Sequence, residues 1–116
     1  MLKNKFIFLF FLTLKLQASE FASLYFQGNC ITCHHKTLSI SAPSMLLVQQ
    51  RYKRAFIEKK DFISYLSKWV QKPNKETSIM LDMIEKYGLM PELVFSQELL
   101  EDIASYIYDT NFSTLK

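Results

Sequence analysis

Apolar side chains recur along this chain at spacings of three and four residues, and no segment alternates convincingly, so the pattern predicts helices and no strands. From Glu20 to Gln27, Phe21, Leu24 and Tyr25 fall at i, i+3 and i+4, giving a short first helix that Gly28 and Asn29 end. Residues 36 to 50 hold no period before Met45-Leu46-Leu47-Val48; they read as mostly loop, turned at Pro43, with a helical turn or two after it. Asp61 to Gln71 is stronger: Phe62, Tyr65, Leu66, Trp69 and Val70 complete one helical face, the lysines fall elsewhere, and Pro73 stops it. A further helix spans Lys75 to Tyr87, with Ile79, Met80, Met83 and Ile84 on one side and Gly88 as its C-cap. Ser96 caps the last, Gln97 to Asp109, whose buried face is Leu99, Leu100, Ile103, Tyr106 and Ile107. The fold class is all-α.

The apolar run ahead of this pattern is of another kind. Lys3 and Lys5 precede Phe6 to Leu14, which is apolar except for Thr13, and Gln17-Ala18-Ser19 follows with small residues. That order is a secretory signal peptide over residues 1–18, with cleavage near Ala18. An uncleaved anchor is the competing reading, but the run is shorter than the roughly 20 residues a spanning helix needs. Removing 18 of 116 residues leaves one domain, 19–116, with no repeat and no linker. The cut also takes Lys3, Lys5 and Lys15, so 11 basic residues face 11 acidic ones and the formal charge falls from +3 to zero. The basic balance of the whole chain is thus a property of its leader and gives no argument for nucleic-acid binding.

Cys30-Ile31-Thr32-Cys33-His34 is the segment with specific chemistry: C-x-x-C-H is the attachment signature of a c-type haem. Two thiols three positions apart can each form a thioether to one edge of a porphyrin, and the following imidazole can serve as proximal ligand. Two plainer readings stand beside it. A redox dithiol would start a helix in a βαβ pattern, which this chain lacks. A zinc site would have to close on Cys30, Cys33, His34 and His35 within six consecutive residues, which strains tetrahedral geometry. Export supports the haem reading, because covalent haem attachment takes place outside the bacterial cytoplasm, and both cysteines would be consumed by it.

With only two histidines, and His35 adjacent to His34, this chain cannot supply a second imidazole from the opposite side of a ring. Methionine remains, and a thioether ligand raises the potential of the iron. Met1 leaves with the leader, Met45 lies only 11 residues past His34, and Met80 and Met83 sit on a helix face where core packing is the ordinary role. Met90 is the preferred sixth ligand, 56 residues past His34 in Tyr87-Gly88-Leu89-Met90-Pro91, its backbone kept extended by Pro91. Met83 and Met80 are the alternatives.

The whole mature chain resembles the small monohaem class I c-type cytochromes of bacteria. The resemblance runs through the short first helix, the C-x-x-C-H run, Ala42-Pro43-Ser44, the aromatic helix stopped by Pro73, Gly88-Leu89-Met90-Pro91 and a terminal helix with Ile103-Ala104-Ser105-Tyr106-Ile107. It implies a compact cytochrome c fold of four to five short helices around one haem c, covalent through Cys30 and Cys33, with His34 and Met90 on the iron. It further implies that the Pro43 carbonyl accepts a hydrogen bond from the proximal imidazole, that Arg51 pairs with a haem propionate, and that Trp69 lies beside the haem and the sixth ligand. Tyr25 or Phe26 against Tyr106 would mark the crossing of first and last helices. An ordinary turn, a solvated arginine and plain core packing are the competing roles of Pro43, Arg51 and Trp69. His35 departs from the family pattern and reads as exposed and idle.

The expected function is therefore electron transfer, not catalysis. The chain reads as a periplasmic one-electron carrier, monomeric, not membrane-spanning once mature, meeting redox protein partners through small transient contacts. Two other readings stay open: a cytochrome subunit of a larger oxidoreductase complex, and a haem sensor or enzyme whose sixth coordination position is open.

Overall fold

The two helices with the widest apolar faces form the centre of the fold. In the computed structural model, which describes residues 20–114, these are α3, Lys59–Gln71, and α5, Gln97–Asp109, packed against each other, with α2, Met45–Ala55, touching both. The chain begins with α1, residues 20–25, and also contains α4, Leu81–Tyr87, and single 3-10 turns at Lys75–Thr77 and Phe112–Thr114. All regular structure among the described residues is helical, and none of these helices is long and apolar enough to cross a membrane. The leader expected over residues 1–18 and its cleavage at Ala18 lie outside the described residues.

α5 starts where its sequence predicts. The Ser96 hydroxyl accepts from the Leu99 amide at 3.2 Å, and Leu100, Ile103, Ala104 and Ile107 are buried. Against them α3 sets Phe62, fully buried and edge-on to Tyr108 with ring centroids 5.0 Å apart. Burying such a ring contributes about 2–3 kcal/mol.

Three expected elements differ from those found. The first helix does not end at Gly28 and Asn29; it widens into a π turn, Phe26–Cys30, closed by the Ile31 amide on the Phe26 carbonyl at 3.3 Å. Its inward face is Ala22 and Phe26, while Phe21 and Leu24 are exposed. Phe26 decides this, because its ring fits between Tyr106 (5.1 Å) and Phe112 (5.8 Å), so the first and last helices meet there.

The second difference is α2, eleven residues where a loop with a turn or two was expected. Ser44 caps it, accepting from the Leu47 amide at 3.1 Å, and its buried face is Met45, Val48, Gln49 and Tyr52. Gln49 obscures that face in the sequence. It is buried because its amide donates to the carbonyls of Ile107 (2.7 Å) and Thr110 (2.6 Å) at the end of α5, groups that a helix leaves unpaired.

The third is the helix expected over Lys75 to Tyr87, which is split. Asn74 Oδ1 accepts from the Glu76 amide and Ser78 Oγ from the Met80 amide, and such local bonds compete with helical ones. Only Leu81–Tyr87 is α-helical, ending at Gly88 with φ 92°, whose amide donates to the Ile84 carbonyl at 2.7 Å.

Candidate cofactor cleft

The residues of the C-x-x-C-H run lie on one tight turn. Cys30 ends the π turn, and its carbonyl accepts from the amides of Cys33 (3.3 Å) and His34 (2.8 Å). All three side chains border a single open cleft containing about 1190 Å³ of atom-free space, mouth included. α2 contributes Met45, Val48 and Tyr52 to its wall, α3 contributes Leu66, Trp69 and Val70, and α5 contributes Leu100, Ile103, Ala104 and Ile107. The segment between α3 and α5 closes the remaining side with Met80, Met83 and the run Tyr87 to Pro91. Among the described residues no Lys, Arg, Asp or Glu borders it.

The loop after His34 is folded back by α2. The amides of Met45 and Leu46, in the first turn of that helix, donate to the carbonyls of His35 (2.8 Å) and Lys36 (3.0 Å). This brings Pro43 alongside His34, whose Nδ1 lies 2.7 Å from the Pro43 carbonyl oxygen. A carbonyl only accepts, so Nδ1 carries the hydrogen and Nε2 keeps its lone pair. Burial lowers the imidazole pKa, partly opposed by this hydrogen bond, and so favours the neutral ring that a metal needs. His35 is exposed but not idle: its Nδ1 accepts from the amides of Thr37 (3.2 Å) and Leu38 (3.0 Å), shaping the turn.

The two thiols differ. Cys33 is exposed, whereas burial pushes the Cys30 thiol up to about 11. Among the described residues no three His, Cys, Asp or Glu side chains converge as ligands for an ion, so Cys30, Cys33, His34 and His35 do not form the compact zinc site that their spacing left open. The donor set fits a flat, largely apolar group joined at one edge: two thiols close together, an oriented imidazole beside them, and methionine thioethers and hydrocarbon in the rest of the lining.

Of the residues singled out in the sequence, Cys30, Cys33, His34, Pro43, Trp69 and Met90 all border the cleft. Trp69 also donates through Nε1 to the Asn74 carbonyl at 3.0 Å, which fixes its ring. Arg51 stands apart. Its guanidinium holds the Asp82 carboxylate with both nitrogens, at 2.7 and 3.1 Å, and does not border the cleft. Met45, set aside as a ligand for its short separation from His34, also borders the cleft, as do Tyr52 and Tyr87, which the sequence did not point to. For Met45 and Tyr52 the missing signal was α2 itself; once Ser44 is read as a cap, both fall on its inner face.

Comparison of the chain with protein-family models, curated proteins and solved structures returns no match, so the chemistry of the cleft rests on its own residues.

Proposed function

We propose that this chain is a monohaem c-type cytochrome, an exported one-electron carrier with haem attached through Cys30 and Cys33 and ligated by His34 and Met90. The observation that carries the reading is the hydrogen bond from His34 Nδ1 to Pro43. It prepares an imidazole for coordination in a cleft that also holds both thiols and Met90. The haem would supply an iron that exchanges one electron, and His34 and Met90 are the residues that would hold it.

The protein's part is to bind, orient and exclude water. Cys30 and Cys33 supply the two sulfur attachments three positions apart, and the turn that holds them sets His34 directly beside them. Pro43 fixes the tautomer and plane of His34. The hydrocarbon of α2, α3 and α5 excludes water from the interior of the cleft, and the absence of ionic groups among the described residues of its wall favours the less charged redox state. Met90, which borders the same cleft, would supply the sulfur ligand. The propionate role for Arg51 is not carried forward, because its fork is engaged by Asp82.

The test is an absorption spectrum of the exported full chain, oxidised and reduced, with extraction into acidified organic solvent. A haem that resists extraction and a weak sulfur-to-iron band in the oxidised form are expected. A colourless protein, or pigment that extracts, refutes the proposal. Loss of the band in Met90→Ala, with its retention in Met83→Ala and Met80→Ala, assigns the ligand. Rapid carbon monoxide binding by the native ferrous protein instead favours an open sixth position.

A further inference from the structure

The segment from residue 72 to residue 95, between α3 and α5, carries three of the cleft's methionines yet buries very little of itself. Met80 is its one buried residue, α4 buries none, and Leu81, Leu89 and Val94 are exposed. Apolar contact with the core is limited to Met80 and the partly buried Ile79, Met83 and Phe95, and polar clips from the helical core add to it. Trp69 Nε1 donates to the Asn74 carbonyl at 3.0 Å and the Tyr65 hydroxyl to the Thr77 carbonyl at 2.5 Å, which hold its start. Gln71 Nε2 donates to the Phe95 carbonyl at 3.5 Å at its end, and between these lie two more clips. The Tyr87 hydroxyl donates to the Ser39 carbonyl at 3.2 Å, and Arg51 holds Asp82 through the paired bonds already described.

The last clip is the best placed. Asp82 lies between Met80 and Met83, both of which border the cleft, so the carboxylate fastens the stretch that presents them. Arg51 is rooted in α2, one position before the buried Tyr52 and three after the buried Val48, so its backbone is anchored in the core. A two-point fork to a carboxylate fixes direction as well as distance, which a lysine could not do. A segment held by few tethers opens at a low free-energy cost, so each tether has weight in that opening which it would lack in the core.

We propose that Arg51 and Asp82 are positioning residues, a latch that keeps α4 closed over the cleft and so governs how constantly the methionine wall is presented to whatever occupies it. Its spectroscopic consequence rests on the haem reading above; the latch itself does not. The same guanidinium cannot both grip Asp82 in this way and face a propionate, so the latch replaces the role suggested by resemblance.

Hydrogen–deuterium exchange of the exported full chain, read by segment, tests this. Asp82→Asn and Arg51→Gln should each raise exchange of α4 amides roughly two- to fivefold, the range expected for an exposed ion pair, with α3 and α5 unchanged. The charge-swapped double variant, Arg51→Asp with Asp82→Arg, should restore protection. High salt should raise α4 exchange in the wild type and leave Asp82→Asn unaffected, because the pair is screened. In the coloured protein the single variants should also bind carbon monoxide faster in the ferrous form, and the swap should reverse this. Unchanged α4 exchange in both single variants, an equal rise throughout the molecule, or failure of the swap to restore protection overturns the latch. A colourless preparation that still shows the α4 effect refutes the haem reading alone; a coloured one without it refutes the latch alone.

Discussion

His34 Nδ1 donates to the carbonyl oxygen of Pro43 across 2.7 Å, and the next residue, Ser44, is the cap of α2. Orientation of the candidate proximal ligand is thus joined to the start of a helix. Ser44→Ala removes the acceptor of the Leu47 amide and should lower the unfolding free energy by about 1 kcal/mol. Denaturant titration at neutral pH measures this. The Pro43 carbonyl loses part of its support, so the variant should also show a broadened His34 ring resonance by NMR; a loss of stability without that broadening separates the cap from the ligand.

The thiols give a pH-dependent prediction. In the haem-free chain both cysteines are free thiols. With its thiol pushed up to about 11 by burial, Cys30 is only about one part in a thousand thiolate at pH 8. Iodoacetamide should therefore modify exposed Cys33 first, and the Cys30 rate should climb about tenfold per pH unit through pH 10. Peptide mapping by mass spectrometry follows both sites; equal rates at pH 8 contradict the burial of Cys30.

Asp102 supplies a second, and this one is read in stability. Burial, then the neighbouring charges of Glu98 and Glu101, raise its carboxyl above the usual value. The folded chain thus holds that proton more tightly than the unfolded chain. Ionisation begins to cost stability as pH rises past the unfolded value and costs it in full above the raised one. Asp102→Asn should raise Tm at pH 7 by roughly 1–3 °C, a modest figure for a partly exposed group. The gain should vanish below about pH 3, where both forms are neutral. Calorimetry at the two pH values decides it.

These residues also show what the sequence made legible. The helical class, α5 with its Ser96 cap, the face of α3 and the Gly88 terminus follow from local rules of period and capping, which need no knowledge of neighbours. So does the placement of Cys30, Cys33 and His34 on one cleft, since residues this close in sequence can share one turn. α2 was hidden because Gln49 interrupts its apolar face, and only the distant carbonyls of Ile107 and Thr110 explain a buried amide there. The inward face of α1 is not legible locally, because Phe21, Leu24 and Tyr25 have the spacing of a stripe, while the space between Tyr106 and Phe112 admits Phe26. The engagement of Arg51 by Asp82 lies 31 positions away in the chain and has no local signal.

Gly88 carries the last prediction, two residues ahead of Met90. Its φ of 92° and ψ of 169° lie in a region that residues with a Cβ scarcely enter. A Cβ placed there meets nothing within 4 Å, so any cost of Gly88→Ala comes from the backbone and not from a clash. That cost should be about 1–3 kcal/mol in unfolding free energy. The chain can relieve it by turning the peptide after α4, which redirects Leu89 and Met90 together. If Met90 is the sulfur ligand, the sulfur-to-iron band should weaken in Gly88→Ala in step with that relaxation, while the absorption of the attached haem stays. A full band alongside the expected loss of stability would place the ligand upstream of Gly88, at Met83 or Met80.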